Sequence, residues 1–240
     1  MNSPKNLRLL LGRHKFILTA LVLLAVASVL PASADSRKTG FTIFSPDTKA
    51  YGRFYAQWEV AWWQWAISIP FDAHPLTDTA DCGVGQSGPV WFLGGSFVSG
   101  TVERACTVPE DKALFFPILN TECSTVEPDP FHGDNEAELR ACANGFIDPV
   151  VGLFLEIDGV PVGNLAQYRV QSPMFTFVAP EPNVLFVPGP VSGQSVADGY
   201  YVLLAPLRKG QHTLHFGGTF PQFGPFTLDI TYHLTVTDNN

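Results

Sequence analysis

The chain has 240 residues, of which 46% are hydrophobic and 12% aromatic, and its formal net charge is −8. This composition is that of a packed globular protein and excludes a disordered chain. The excess of acidic residues disfavours binding to nucleic acid or to an anionic membrane surface.

Residues 1–34 have the features of a signal peptide. Four basic residues precede the uncharged apolar stretch 16–30, and Ala32-Ser33-Ala34 supplies a small-x-small cleavage pattern. An apolar stretch of about 15 residues is short for a membrane-spanning helix, so we expect a mature protein that begins at Asp35; an uncleaved anchor is the alternative. Cleavage leaves 206 residues with a net charge of −12, a size typical of one domain.

All four cysteines follow the leader. An even number of cysteines in an exported protein predicts two disulfides, for which three pairings exist. The sequential pairing is favoured because each bridge then closes a compact local unit; free buried thiols are the alternative. The chain contains no Cys-x-x-Cys pair, so the sequence does not support a zinc-ribbon or thioredoxin-like protein. The expected bridges are Cys82–Cys106 and Cys123–Cys142.

The first element of the mature chain is a predicted helix over about 46–69. Ser45-Pro46-Asp47 provides a capping residue followed by proline and an acid, and Pro70 ends the pattern. Large residues recur at spacings of four and three and therefore share one helix face. Burial of this face in the core is the main expectation, and a stacking surface for sugars is the alternative. The face consists of Tyr51, Tyr55, Trp58, Trp62, Trp65 and Ile69.

The middle of the chain predicts strands joined by turns. Segments 90–98 and 101–108 are expected to pair across a Ser99-Gly100 turn, and a strand over 113–119 follows. Between Asn120 and Leu139 the sequence has six acidic residues and no basic residue, which predicts a solvated loop. Asp134 could cap a short helix at its end, over 135–143.

The C-terminal half is more clearly β. Asp158-Gly159 between two apolar runs predicts a hairpin, and strict alternation over 226–236 predicts a strand with one buried face. Further short apolar runs are 174–178, 184–187 and 200–204. The chain is therefore expected to be mainly β. We predict a single-domain antiparallel β-sandwich over 35–240, of which the jelly roll is one form, with one aromatic-rich N-terminal helix.

Several short motifs resemble those of a family of exported bacterial proteins with no established activity. The resemblance covers most of the mature chain and implies an exported, single-domain organisation, with no chemistry attached to it. The motifs are Trp-x-x-Trp-Ala at 62–66, Cys82 with Gly85-Gln86, Val90-Trp91-Phe92-Leu93, Phe115-Phe116-Pro117, Asp198-Gly199-Tyr200 and the segment 212–218.

Two candidate sites lie near the helix. Glu59 and Trp63 depart from the aromatic face, and a carboxylate beside an indole could form a ligand site, or Glu59 could be a partly exposed ion-pair partner. Glu59 is also a weak catalytic candidate. So are Asp72 and His74, which follow in a turn-rich segment where catalytic groups often collect. The same two residues are also ordinary turn formers.

A third candidate surface is the solvent-exposed face of the terminal hairpin. The expected register places His215 opposite Thr227 or Asp229, so His215 and Asp229 could touch, while His233 would lie too far along the ladder for a shared metal ion. Zinc would need a further ligand from a loop such as 71–81. The acidic loop 127–136 offers oxygen ligands that calcium could accept. Its acids do not have the regular spacing of a known calcium-binding loop, however, so a solvated loop is the main expectation. No cofactor is therefore predicted.

The sequence contains no nucleophile motif. Gly85-Gln86-Ser87-Gly88 resembles the start of Gly-x-Ser-x-Gly, but Pro89 stands where the last glycine would be needed. The expected function is a periplasmic or extracellular binding or structural module for a carbohydrate or another cell-envelope ligand. No nucleic-acid partner and no membrane insertion after leader removal are expected. An exported hydrolase or lyase that uses carboxylates, histidine or a metal is the alternative.

Overall fold

A computed structural model of the chain describes residues 40–77, 81–224 and 226–238. The expected signal peptide and its cleavage site before Asp35 lie outside the described residues. The described part forms two α-helices and ten strands: α1 Tyr55–Ser68, α2 Glu136–Ile147, β1 Val90–Phe92, β2 Gly100–Pro109, β3 Ala113–Ser124, β4 Val151–Ile157, β5 Val160–Pro161, β6 Arg169–Gln171, β7 Phe175–Ala179, β8 Val191–Leu204, β9 Gly210–Phe220 and β10 Phe226–Thr237.

The strands form two sheets that pack face to face. Sheet I has the order β1-β3-β8-β6, with β7 also paired to β8, and sheet II has the order β2-β10-β9-β4-β5. Phe116 of sheet I packs on Phe216 of sheet II, with ring centroids 4.9 Å apart. The predicted β-sandwich with an aromatic-rich helix is confirmed. Most neighbours are antiparallel, and two edge strands are parallel to theirs, β1 to β3 and β2 to β10.

The hairpin expected over 90–98 and 101–108 does not form, because its two halves belong to different sheets. After β1 the chain leaves sheet I through Gly94 and Gly95 and enters sheet II at β2. Arg104 of β2 holds this crossover, since its guanidinium donates to the carbonyl oxygens of Gly94 at 3.0 Å and Gly95 at 2.6 Å. The two glycines have no side chains that would pack against a neighbouring strand, so the chain can leave sheet I here.

The aromatic helix is shorter than expected at its N-terminus. Tyr51 and Gly52 have positive φ angles, 50° and 83°, which place a turn where the helix was expected to run. The helix begins instead at Tyr55, where Gln57 accepts a hydrogen bond from the Phe54 N–H at 3.1 Å. Tyr51 is therefore off the helix and 38% exposed. The rest of the aromatic face is buried, as predicted: Tyr55, Trp58, Trp62, Trp65 and Ile69.

Sheet I is covered on both faces, which explains why β3 and β8 are buried almost throughout. On one face α1 packs against Phe115 and Tyr201, which stack on each other at 5.2 Å. On the other face sheet II covers one part, and α2 covers the rest around Cys123 and Val196. Since neighbouring strand residues point to opposite faces, a strand so placed needs apolar residues at both.

The segment expected to be a solvated acidic loop is partly strand and partly helix. β3 continues to Ser124, so it includes Glu122, and α2 extends to Ile147 rather than ending near residue 143. Its N-cap is Asn135 rather than Asp134, because the Asn135 side chain accepts hydrogen bonds from the N–H groups of residues 137 and 138. The apolar run 184–187, expected as a strand, forms turns instead.

The terminal strand β10 has the predicted alternation, and Leu228, Ile230, Tyr232, Leu234 and Val236 are buried. Its register with β9 differs from the expected one: His215 lies opposite Thr231, and His233 lies opposite Thr213. The difference arises because β9 runs on to Phe220, so the glycines at 217 and 218 lie within the strand and not in the turn.

Gly217 is required by the close contact between β9 and β10. A Cβ atom at this position would lie 1.9 Å from the carbonyl oxygen of Leu228 and 3.0 Å from the ring of Phe154. Phe154 of β4 is paired with Gly217 across the sheet and covers it. A residue without a side chain is therefore needed at the centre of sheet II.

Both predicted disulfides are present, Cys82–Cys106 and Cys123–Cys142. The first joins the turn region before β1 to β2, and the second joins the end of β3 to α2. Disulfides of this kind are typical of proteins that mature in an oxidising compartment. No helix within the described part of the chain is both long enough and apolar enough to cross a membrane.

Candidate functional site

A cavity of about 480 Å³ lies where α1, the end of β3 and the crossover after β1 meet. Its walls are mainly aromatic and aliphatic. Depressions of about 640 and 680 Å³ elsewhere are more open and have no buried titratable side chain in their described lining. The cavity is lined by Trp62, Trp63, Ala66, Leu76, Gly95, Ser96, Phe97, Asn120, Thr121, Glu122, Glu127, Pro128, Phe131, Val184, Leu185, Phe186, Phe220, Phe226 and Leu228.

Two adjacent tryptophans of α1 supply a rigid part of the wall. The Trp62 indole N–H donates to the carbonyl oxygen of Leu93 at 2.7 Å, and the Trp63 indole N–H donates to the Tyr201 hydroxyl at 3.0 Å. The two rings meet edge to face with centroids 5.0 Å apart. Because both N–H groups are satisfied inside the protein, it is the apolar ring surface that these residues contribute to the cavity.

Phe186 adds an aromatic ring that is 69% exposed and yet lines the cavity. Its backbone is in the left-handed region, with φ 55°, which is unusual for a bulky residue. The Asn183 side chain fixes this loop by accepting hydrogen bonds from two of its N–H groups, at 3.2 and 3.3 Å. The ring contacts Phe71 and Phe97, with centroids 5.2 and 6.2 Å away. Strained, exposed aromatics of this kind are common at ligand sites.

The polar part of the cavity wall contains two carboxyl groups. Glu122 lies near the end of β3 and is only 4% exposed. The Ser195 hydroxyl donates to Glu122 Oε2 at 2.5 Å, and the Ser124 hydroxyl donates to Glu127 Oε2 at 2.7 Å. Each of the two carboxyl groups alters the acidity of the other, so they are close neighbours in the wall. Like charges this close in an apolar site favour protonation of one of the two groups.

Burial is the main cause of the altered acidity of this pair. It raises the pKa of Glu122, and burial together with the charge of Glu122 raises the pKa of Glu127 to about 10. The hydrogen bonds from the two serines act in the opposite direction and are the smaller effect. At neutral pH Glu127 is therefore protonated and offers a hydrogen-bond donor to whatever occupies the cavity.

Glu59 is buried next to the cavity wall. It is 0% exposed, and neither of its carboxyl oxygens has a hydrogen-bond partner of ordinary geometry among the described residues. Burial first, and then the charge of Asp198, raises its pKa well above the usual range, while the Tyr201 hydroxyl acts against this shift. That hydroxyl also accepts hydrogen bonds from Trp63 and from Asn120 at 3.1 Å. Trp63 thus lines the cavity, and Glu59 lies behind it beside Tyr201.

The structure does not make an acid–base pair of Asp72 and His74. Asp72 is exposed, whereas His74 is fully buried. His74 Nδ1 accepts a hydrogen bond from the Leu76 N–H at 3.1 Å, and Nε2 contacts the carbonyl oxygen of Ala66 at 2.9 Å, which assigns the proton to Nε2. Burial lowers the pKa of His74 to about 4. His74 is therefore a neutral histidine that connects α1 to the following turn.

The histidine surface predicted on sheet II lies on the face opposite to the core. His215 Nε2 is 2.7 Å from Asp229 Oδ1, so the expected contact is present, as a diagonal rather than a directly opposed pair. His233 pairs with Glu103 at 3.4 Å instead. Within residues 40–77, 81–224 and 226–238, no cluster of three or more histidine, cysteine or acidic side chains could hold a metal ion.

Sequence reasoning missed the carboxyl pair because Glu122 and Glu127 were expected in a solvated loop. The one local signal was Cys123, since a cysteine expected in a disulfide ties its neighbours to the folded core. The partner hydroxyl of Ser195 lies 73 residues further along the chain, so no sequence spacing indicated it.

Comparison with known proteins identifies no family for this chain. No protein-family profile matches the sequence. No curated protein matches it either. The solution structure of Amebosin matches over 62% of this chain and 100% of its own length, with 8% sequence identity and a TM-score of 0.18. A likeness this low carries no argument about fold or function.

Proposed function

We propose that this protein is an exported binding module whose cavity holds a small molecule with a largely apolar body and one polar group. The observation that carries this proposal is the composition of the cavity wall. Apart from Ser96, its polar side chains come from one segment, 120–127, and the rest of the wall is mostly aromatic and aliphatic. Small-molecule sites commonly combine an apolar wall with a few convergent polar groups.

Export of the protein is supported by the two disulfides and by the expected leader. A cavity protein of the periplasm or the exterior would meet its ligand in an oxidising compartment, where both bridges persist. The acidic charge of the mature chain supports a ligand that is neither nucleic acid nor an anionic lipid surface.

A carbohydrate is a less suitable ligand than the sequence suggested. Aromatic rings can stack on the C–H faces of a sugar, but a polyol needs hydrogen-bond partners around its ring. With the polar side chains concentrated in one segment, a buried sugar would leave several hydroxyl groups unpaired. We therefore place an amphipathic small molecule first and a sugar or another cell-envelope component second.

A hydrolase is the second candidate function, and the carboxyl pair favours it. A carboxylic acid beside a carboxylate can donate one proton and accept another, which is the arrangement that hydrolases with two carboxyl groups use. For this role the pair would have to touch the bond that is cleaved. Mass spectrometry of a ligand recovered from the protein separates the candidates: an unchanged ligand supports binding, and cleaved products support hydrolysis.

The cavity can be tested with Nile red, a neutral fluorescent probe of apolar sites. We expect saturable, blue-shifted fluorescence with the parent protein and its loss in Ala66→Leu, which fills the cavity. Ala56→Leu is the matched control on the same helix, because Ala56 lies outside this cavity. Thermal melting shows whether each variant folds, and Ser96→Phe replaces Ala66→Leu if the latter does not. Equal Nile red binding by the folded cavity variants and the control would overturn the proposal.

A further inference from the structure

We infer that the ligand of this cavity is a small organic cation, an ammonium or amidinium group on an apolar body, and that Glu122 and Glu127 receive its charged end. The inference rests on the proposed binding function and adds the chemical class of the ligand. Three observations support it: the charges of the wall, the geometry of the carboxyl pair, and the aromatic rings around it.

The ionisable side chains of the cavity wall are all acidic. They are the two carboxyl groups, and the described lining contains no lysine, arginine or histidine. Arg104 lies behind the wall, and its guanidinium donates to the carbonyl oxygens of Leu76, Gly94 and Gly95. His132 contacts the backbone carbonyl of Glu127 and pairs with Asp134 outside. An anionic ligand would therefore find no cationic side chain in the described wall to pair with.

The carboxyl pair is held in position by hydroxyl donors, and none of the described residues forms an ion pair with it. Ser195 and Ser124 each donate one hydrogen bond to a carboxyl oxygen, and neither brings a positive charge. Placing a charged group in an apolar site is costly unless an opposite charge compensates it. A ligand N–H⁺ group between the two carboxyl groups would donate to both and stabilise their ionised form. Each carboxyl group that becomes ionised on binding releases its proton to solvent.

The aromatic wall suits a cation better than a neutral ligand of the same shape. Ring faces attract a cation within about 6 Å of the centroid, and most strongly when the group is desolvated. Trp62, Trp63, Phe97 and Phe131 supply rings around the same cavity as the carboxyl pair. An alcohol would gain the apolar contacts but could not form an ion pair with a carboxylate.

The test uses three probes of one shape: benzylamine, benzyl alcohol and benzoate. Each is titrated against the Nile red complex at pH 7, and benzylamine is also titrated by calorimetry in two buffers of different ionisation enthalpy. We expect benzylamine to compete at least about tenfold more strongly than benzyl alcohol, benzoate to compete least, and benzylamine binding to release a proton to the buffer.

Glu127→Gln should remove this preference. It keeps the shape of the side chain and its hydrogen bond with Ser124, and we expect the ratio of benzylamine to benzyl alcohol affinity, measured on the variant itself, to fall about tenfold or more. Asp129→Asn, at an exposed acid of the same loop, is the control and should change nothing. If thermal melting shows that Glu127→Gln is not folded, Glu122→Gln takes its place.

The outcomes separate the two proposals. If Nile red binds but benzylamine competes no better than benzyl alcohol, or benzoate competes best, the cation inference is wrong and the binding cavity stands. If Nile red fails to bind the parent protein, the proposed function itself is wrong. An amine preference that survives unchanged in the folded glutamine variants would place the cation elsewhere and overturn the role of the carboxyl pair.

Discussion

Glu122 and Glu127 are placed where they reduce the stability of the protein. Two carboxyl groups that face each other in an apolar wall are harder to ionise than in water, and the free energy of unfolding carries that cost. Natural proteins commonly keep unfavourable charges of this kind where a ligand or a reaction needs them. Replacing one of the two acids by its amide should therefore increase stability.

Glu127→Gln should unfold at a higher denaturant concentration than the parent at pH 8, and the difference should shrink at pH 5. The pKa of Glu127 in the folded protein is raised above its ordinary value of 4.5. The contribution of Glu127 to stability is therefore fully present below pH 4.5 and is lost as the pH rises toward the folded-state pKa. Glutamine does not titrate. We expect a gain of at least about 1.4 kcal/mol at pH 8, the equivalent of one pKa unit. Urea unfolding at both pH values measures it.

Asp129→Asn is the control for this comparison, because it removes an acid of the same loop that is exposed. A variant at position 127 that follows the pH dependence of the parent would show that the carboxyl pair is solvated and not strained.

At the level of single elements, the periodicity of the sequence predicted which face of a helix or strand is buried. The aromatic face of α1 and the alternation of β10 were both readable, because each follows from the repeat of one helix or one strand. The N-terminus of α1 could not be predicted in this way. Ser45-Pro46-Asp47 is a good start signal for a helix, but the backbone turns at Tyr51 and Gly52. The pairing of β2 was not readable either, because its partner β10 lies more than a hundred residues away.

The buried face of β10 gives a sharp comparison. Ile230 is 0% exposed and points into the sandwich, whereas Thr231 lies on the other face of sheet II. Ile230→Asp should cost about 4 kcal/mol or more, because it places an unpaired charge in the core. Thr231→Asp should cost much less. Chemical denaturation measures both, and equal damage would mean that sheet II is covered on its outer face as well.

The two glycines at 217 and 145 should respond in opposite ways to alanine. Gly217→Ala would bring a Cβ to within 1.9 Å of the Leu228 carbonyl oxygen, so β9 and β10 would have to separate. Gly145 lies inside α2 with open space around it, and alanine there should stabilise the protein by about 0.5–1 kcal/mol. Melting temperatures of the two variants test this. A Gly217→Ala protein as stable as the parent would contradict the packing of sheet II.

On the scale of the whole molecule, the site depends on segments that the fold brings together. Glu122 comes from β3, Ser195 from β8 and Trp62 from α1, and each has an ordinary local sequence. The sequence indicated the β-sandwich because its turns and alternating runs repeat along the chain. The cavity could not be predicted, because it arises from the crossover between the sheets and from the burial of an acid-rich segment.

The disulfide between Cys123 and Cys142 should matter for the site as well as for stability. Serine at both positions opens a loop with a sequence separation of 19 residues and should cost about 3 kcal/mol. Because Cys123 follows Glu122 directly, we also expect weaker Nile red binding in the folded variant. Serine at Cys82 and Cys106 should give a similar loss of stability. Nile red binding equal to that of the parent in the folded double variant at Cys123 and Cys142 would separate that bridge from the site.

The close approach at Gly217 also limits how sequences with this fold can diverge. Any substitution there would overlap a neighbouring carbonyl, so we expect glycine at this position in every homologue, whatever the homologue does. Glu122 and Glu127 carry no such packing requirement, and by our proposal it is the ligand that keeps them. We therefore expect an alignment of homologues to fall into two groups: sequences with the glycine and both acids, and sequences with the glycine alone.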